Sequence, residues 1–210
     1  MNVLFVLTEG QILHWAVGSG YTRISKLLLH CGLYVDAPGF LKETPLHLAS
    51  KNGFKDLVDI LVQSGGNVNA RNFPKQETPL HLAAQNGHPY IAEYLIQHGS
   101  KVNIRNVPLQ DTPLHLASQN GHGQVVDILL QHGSDVNARN APSQNTPLHL
   151  AAQNGHRQVA EILLQGGSDV NAENFPRQES PLHLAARNGH QHIVEFLIQH
   201  GGKVNYRNIP

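Results

Sequence analysis

The 210-residue chain balances 15 Lys+Arg against 15 Asp+Glu, so no net field draws it to nucleic acid or to an anionic membrane surface. Its 40% hydrophobic content is enough to bury a core and argues against disorder. A single cysteine, Cys31, excludes an internal disulfide framework and fits a reducing, cytoplasmic setting, with the nucleus or delivery into a host cell also compatible.

The opening MNVLFVL has about five apolar residues in a row and no basic residue ahead of them. That is too short for a signal h-region or a membrane span, so no membrane insertion is expected. Next comes Gln11-Ile12-Leu13-His14-Trp15-Ala16, a divergent version of a motif that then becomes regular. TPLHLA begins at Thr44, Thr78, Thr112 and Thr146, and SPLHLA at Ser180, each 34 residues after the last. Units 112–145 and 146–179 agree at 25 of 34 positions, which points to tandem duplication. The chain divides into six units, 11–43, 44–77, 78–111, 112–145, 146–179 and 180–210, and is expected to form one domain over 1–210.

One unit shows how each is built. Thr78 caps a helix through its hydroxyl, and Pro79 suits the first helical position because its missing N–H needs no partner there. Leu80, Leu82 and Ala83 follow at helical spacing, and Asn86-Gly87 ends the helix. A second helix starts near His88, carries Ile91, Tyr94, Leu95 and Ile96 as its apolar stripe, and stops at Gly99. Neither helix would be stable alone in water, so stacking against neighbouring units must hold both. Alanine at Ala49, Ala83, Ala117, Ala151 and Ala185 lets adjacent helices approach closely. Residues 100–111 are expected to be extended and turning.

T-P-L-H-x-A, then N-G-H, a second helix and G-x-x-V-N, recurring over residues 11–210, resembles the ankyrin repeat. The resemblance implies an all-α solenoid of stacked helix-turn-helix units with projecting β-hairpin fingers. It departs from the family in a unit of 34 residues rather than 33 and in the missing glycine of the finger turn. The family's TPLH histidine is a bracket that bonds the capping threonine and neighbouring backbone. The Val-Asn motif at Asn69, Asn103, Asn137, Asn171 and Asn205 is similar to the family's asparagine hydroxylation site.

Fifteen histidines raise the question of a metal. Their positions follow the repeat: His14, His47, His81, His115, His149 and His183 in the TPLH slot, and His88, His122, His156 and His190 after Asn-Gly. Metal sites need three or four converging ligands and a supporting shell, so no metal and no cofactor are expected. Asp59, Glu93, Asp127, Glu161 and Glu195 recur once per unit on the second helix, as a solvated outer face would. Every glycine falls at a repeat-defined helix end or turn, and Cys31 beside His30 sits at a helix end. No catalytic constellation emerges, and an enzyme is not expected.

Function then lies where the units differ, in the finger. Phe73-Pro74-Lys75-Gln76-Glu77, Val107-Pro108-Leu109-Gln110-Asp111, Ala141-Pro142-Ser143-Gln144-Asn145 and Phe175-Pro176-Arg177-Gln178-Glu179 keep one outline and change chemistry. Proline holds the preceding residue extended and, at the second turn position, predicts a type I turn. In the ankyrin family partners commonly lie in the concave groove of finger tips and first helices. Carried over, the candidate partner-binding residues are Lys51, Phe73, Lys75, Glu77, Gln85, Val107, Leu109, Asp111, Gln119, Ser143, Asn145, Gln153, Phe175, Arg177, Glu179 and Arg187. Phe73 and Phe175 serve either as partner anchors or as glue between fingers.

The leading reading is a non-enzymatic module that binds a protein partner. The alternative is a spacer or targeting segment of a larger protein, motivated by Tyr206-Arg207-Asn208-Ile209-Pro210, which begins another finger at the chain's end. A monomer is expected, with self-association through an uncapped C-terminal end as the other option.

Overall fold

The computed structural model describes residues 9–204, so Asn205 and the finger start at 206–210 lie outside the described residues. Twelve helices fill this span and no strand is assigned within it. The first unit holds α1 (Glu9–Gly18) and α2 (Thr22–His30), followed by a single 3-10 turn, Phe40–Lys42. The remaining pairs are α3 (Pro45–Asn52) and α4 (Lys55–Gln63), α5 (Pro79–Gln85) and α6 (Pro89–Gln97), α7 (Pro113–Gln119) and α8 (Gly123–Gln131), α9 (Pro147–Gln153) and α10 (Arg157–Gln165), and α11 (Pro181–Arg187) and α12 (Gln191–Gln199).

The local signals act as the sequence predicts. Thr78 is extended at φ −97°, ψ 167°, and its hydroxyl oxygen accepts from the His81 N–H at 3.4 Å. Gly87 adopts φ 72° beyond the helix end, where the His88 N–H reaches back to the Ala83 carbonyl at 3.0 Å. Gly99, at φ 91°, does the same for α6, with the Ser100 N–H on the Leu95 carbonyl. Both positions need the left-handed conformation that glycine adopts without a Cβ penalty.

First helices pack on first helices along the stack, and second helices on second. Leu46, Leu80, Leu114 and Leu148 are fully buried, as are Leu61, Leu95, Leu129, Leu163 and Leu197. Each such leucine contributes about 1.5–3 kcal/mol, so the interfaces between units supply the stability that helices of seven to nine residues lack. The repeating alanines are also buried, which keeps the first helices close.

One column is imperfect. Ser50 and Ser118 are fully buried with no partner for their hydroxyls, whereas Ala84 and Ala152 occupy the same position in neighbouring units. A buried hydroxyl without a hydrogen bond is destabilising. Ser118→Ala is therefore expected to raise unfolding free energy by about 1 kcal/mol, read as a higher urea midpoint. A lower midpoint would show that the hydroxyl has a partner after all.

The fingers differ from the predicted type I turn. The bonds Phe73–Pro74, Val107–Pro108, Ala141–Pro142 and Phe175–Pro176 are all cis, which puts proline at the third turn position, as in type VI turns. The glutamine two residues on takes the positive φ that the missing glycine would have supplied: Gln76 51°, Gln110 56°, Gln144 53° and Gln178 53°. Each finger is closed by main-chain bonds such as Asn72 N–H to the Glu77 carbonyl at 3.0 Å and Gln76 N–H to the Asn72 carbonyl at 3.1 Å. Among the described residues the fingers are thus turns rather than two-stranded hairpins.

Candidate partner-binding surface

Adjacent fingers are joined by main-chain bonds. The N–H of the residue before each proline donates to the carbonyl of the residue after the previous finger's tip: Phe73 to Leu41, Val107 to Lys75, Ala141 to Leu109 and Phe175 to Ser143, at 2.7–2.9 Å. With these backbones occupied, side chains are what the fingers offer to a partner. Leu41, Phe73, Leu109 and Phe175 stand exposed along the tips, Phe73 at 57% and Phe175 at 64%. Val107 is half-buried.

Two cavities run between fingers and first helices. One, of about 330 Å³, is lined by Leu41, Lys51, Phe73, Lys75, Glu77 and Gln85 among others. The other, of about 250 Å³, is lined by Ser143, Asn145, Gln153, Phe175, Arg177, Glu179 and Arg187 with their neighbours. The fold therefore brings twelve of the sixteen sequence-predicted residues into two clusters. Val107, Leu109, Asp111 and Gln119 lie in the intervening units and line neither cavity. Leu41 and Glu43 also face the first cavity; the divergence of the first unit hides them from the repeat comparison.

The acidic members sit deeper than a contact surface requires. Glu77, Asp111 and Glu179 are buried. Their backbone N–H groups are capped by the side-chain oxygens of Asn72, Asn106 and Asn174 at 2.8–2.9 Å. Asp111 also accepts from the Asn140 amide of the next unit at 2.8 Å, and burial pushes its carboxyl above the ordinary range. Glu179 accepts from Arg187 at 2.6 and 2.8 Å, so these two candidates are paired with each other. Glu77 meets Lys75 only at 3.9 Å, with the Lys75 side chain 60% exposed. Lys51, Gln119 and Arg177 are exposed, while Gln85, Gln153, Ser143 and Asn145 are half-buried.

The histidines belong to the scaffold. In α5, the Thr78 N–H donates to His81 Nδ1 at 3.1 Å, which fixes Nε2 as the protonated nitrogen; it donates to the Asp111 carbonyl of the finger at 3.2 Å. His47, His115 and His149 repeat the arrangement. Burial holds the His81, His115 and His149 rings neutral, with pKa values lowered to about 4, and the guanidinium groups of Arg71, Arg105 and Arg139 push the same way. The Asn-Gly histidines point backwards along the stack: His88, His122, His156 and His190 each reach a carbonyl at the end of the preceding first helix at 3.0 Å. The bracket thus ties each first helix to the end of its own finger, and the Asn-Gly histidine ties each unit from the third onward to the one before; in the second unit Phe54 stands in that place. Among the described residues no group of three or more potential metal ligands converges.

Two further ladders recur every 34 residues; the arginines went unread in the sequence, and the Val-Asn asparagines are read there only for their likeness to a hydroxylation site. Arg71, Arg105 and Arg139 each donate to the carbonyl one unit on, at Arg105, Arg139 and Glu173. Asn69 uses both ends of its amide, donating to the Gly99 carbonyl and accepting from the Lys101 N–H, each at 3.0 Å. Asn103, Asn137 and Asn171 do likewise. No described helix is long and apolar enough to cross a membrane.

The comparisons with known proteins agree with this construction. The family model described as "Ankyrin repeats (3 copies)" matches residues 13–106 and 106–174, and that of a single "Ankyrin repeat" matches 177–209. The chain belongs to the ankyrin-repeat family. Among curated relatives, Protein fem-1 homolog A of Danio rerio is 38% identical over 53 residues, 25% of this chain and 9% of that protein. Protein fem-1 homolog A-A of Mus musculus is 36% identical over 50 residues, 24% of this chain and 8% of the relative. The likeness spans less than a tenth of either relative and reaches no further than the repeats. Ankyrin repeats generally mediate contacts between proteins, and the array has the parts for that role.

Proposed function

We propose that this ankyrin array is a non-enzymatic module that binds a protein partner through the groove between its finger tips and first helices. The observation that carries this reading is the exposure of Phe73 and Phe175 on fingers whose main chain is otherwise engaged. An apolar ring left more than half in water has area to offer a partner, and aromatic side chains are enriched among interface hot spots. The four or five groove positions in each of five units amount to about 20–25 residues, near the size of one side of a standard interface. An intracellular monomer fits the reading, since the exposed thiol of Cys31 suits a reducing compartment.

The test is the double variant Phe73→Ser/Phe175→Ser. In cross-linking pull-downs it should lose the proteins captured by the natural chain, while its thermal midpoint stays within about 2 °C because little area is uncovered. A large fall in midpoint would instead assign both rings to the packing between fingers.

A further inference from the structure

A second, longer period runs through the chain. The finger Phe73-Pro74-Lys75-Gln76-Glu77 returns three units on as Phe175-Pro176-Arg177-Gln178-Glu179. So does the segment after it: Leu95-Ile96-Gln97-His98-Gly99 becomes Leu197-Ile198-Gln199-His200-Gly201, and the Tyr94–His98 ring contact at 4.1 Å becomes Phe196–His200 at 4.2 Å. The two intervening fingers have neither the aromatic nor the cation. Units 112–145 and 146–179 are closely alike overall, yet they differ at all three chemical positions of the finger: Ala141 against Phe175, Ser143 against Arg177, Asn145 against Glu179.

The two cavities described above are built on these two fingers. Phe73 matches Phe175, Lys75 matches Arg177, and Glu77 matches Glu179, each lining the cavity of its own finger, while Leu41, Glu43, Lys51 and Gln85 of the first lining give way to Ser143, Asn145, Gln153 and Arg187 in the second. In both, the carboxylate is buried while the finger cation stands in solvent; Arg177 forms no ion pair. The charges that stand in solvent beside each exposed phenylalanine are therefore cationic, Lys51 and Lys75 at the first site and Arg177 and Arg187 at the second, with Glu43 half-buried at the first, although the chain as a whole is neutral.

We propose that the array presents one site twice, and that both copies engage a single extended acidic segment of a partner protein, an inference that rests on the groove reading above. Helix packing spaces successive units by about 8–10 Å, so three steps separate the sites by about 24–30 Å. An extended chain rises about 3.3 Å per residue, so the segment carries two apolar residues flanked by carboxylates about seven to nine positions apart. Stacking repeats a site in the same orientation. A two-fold symmetric partner would offer its second determinant reversed, whereas two direct repeats on one strand match both sites.

The probe is a displayed library of random 16-residue peptides, selected on the full chain and then tested on Phe73→Ser, Phe175→Ser and the double variant, each first confirmed by its melting curve to be folded. The expected winners carry two apolar-acidic clusters about seven to nine residues apart. They should lose about tenfold or more in affinity on either single variant, because losing one contact removes the gain from tethering, and weaken as salt rises. Winners with one cluster that still bind both single variants but not the double variant would overturn the two-site inference and leave the groove intact. Winners that bind the double variant as well as the natural chain would overturn the groove reading itself.

Discussion

Acidification from pH 7 to pH 5 is expected to destabilise the array strongly, well before most of its carboxylates protonate. His81, His115 and His149 have folded-state pKa values near 4, lowered from 6.5 by burial. Between these values the unfolded chain binds more protons than the folded one, so stability falls as pH falls. The contribution is fully present above about 6.5 and lost progressively towards 4. At pH 5 the difference is about 2 kcal/mol for each ring, or about 6 kcal/mol for the three. That compares with a total of about 5–15 kcal/mol for a typical domain. His47 shifts in the same direction and adds to the effect. Asp111 opposes it, since burial raises its carboxyl, which gains protons more readily when folded. Urea denaturation followed by circular dichroism at 222 nm at pH 7, 6 and 5 checks this. A midpoint unchanged across that range would mean that the buried rings accept protons in place.

The geometry explains why these rings resist protonation. Nδ1 faces the N–H of the capping threonine at 3.1–3.2 Å, and Nε2–H already faces a carbonyl. A proton on Nδ1 would be aimed at another donor. The threonine would have to release the ring, and the turn joining one unit to the next finger would lose its anchor.

Helices and bracket are legible in the sequence for different reasons. Thr78, Pro79 and Gly87 act within a few residues of themselves, so their effects depend little on what surrounds them, while the bracket of His81, which reaches Asp111 thirty residues on, is legible through the resemblance to the family. The finger depends on its neighbours. A peptide bond before proline prefers trans by only about 0.5–1 kcal/mol, so Phe73-Pro74 alone does not say which turn it makes. Charged residues are seldom buried, which is why Glu77, Asp111 and Glu179 read as groove charges. The fold sinks them because Asn72, Asn106 and Asn174 fasten their backbones and the stack closes over them. The same comparison of units singled out Phe73 and Phe175 as the large apolar variables, and the structure leaves both rings exposed.

Removing one bracket tests both the fold and its response to acid. His115→Ala should cost about 3–5 kcal/mol, because it opens a cavity the size of a ring and strands two buried main-chain groups, the Thr112 N–H and the Asn145 carbonyl. Urea denaturation at pH 7 reads that loss. A generic core truncation could cost as much, so the discriminating measurement repeats the denaturation at several pH values. Each neutral buried ring contributes up to about 1.4 kcal/mol per pH unit to the slope of stability against pH. Deleting one of three should lower that slope by about one proton between pH 6 and 5, whereas Leu148→Ala, which removes a fully buried side chain with no titrating group, should leave it unchanged. Equal slopes for the two variants would mean that the bracket histidines hold the array together without making it sensitive to acid.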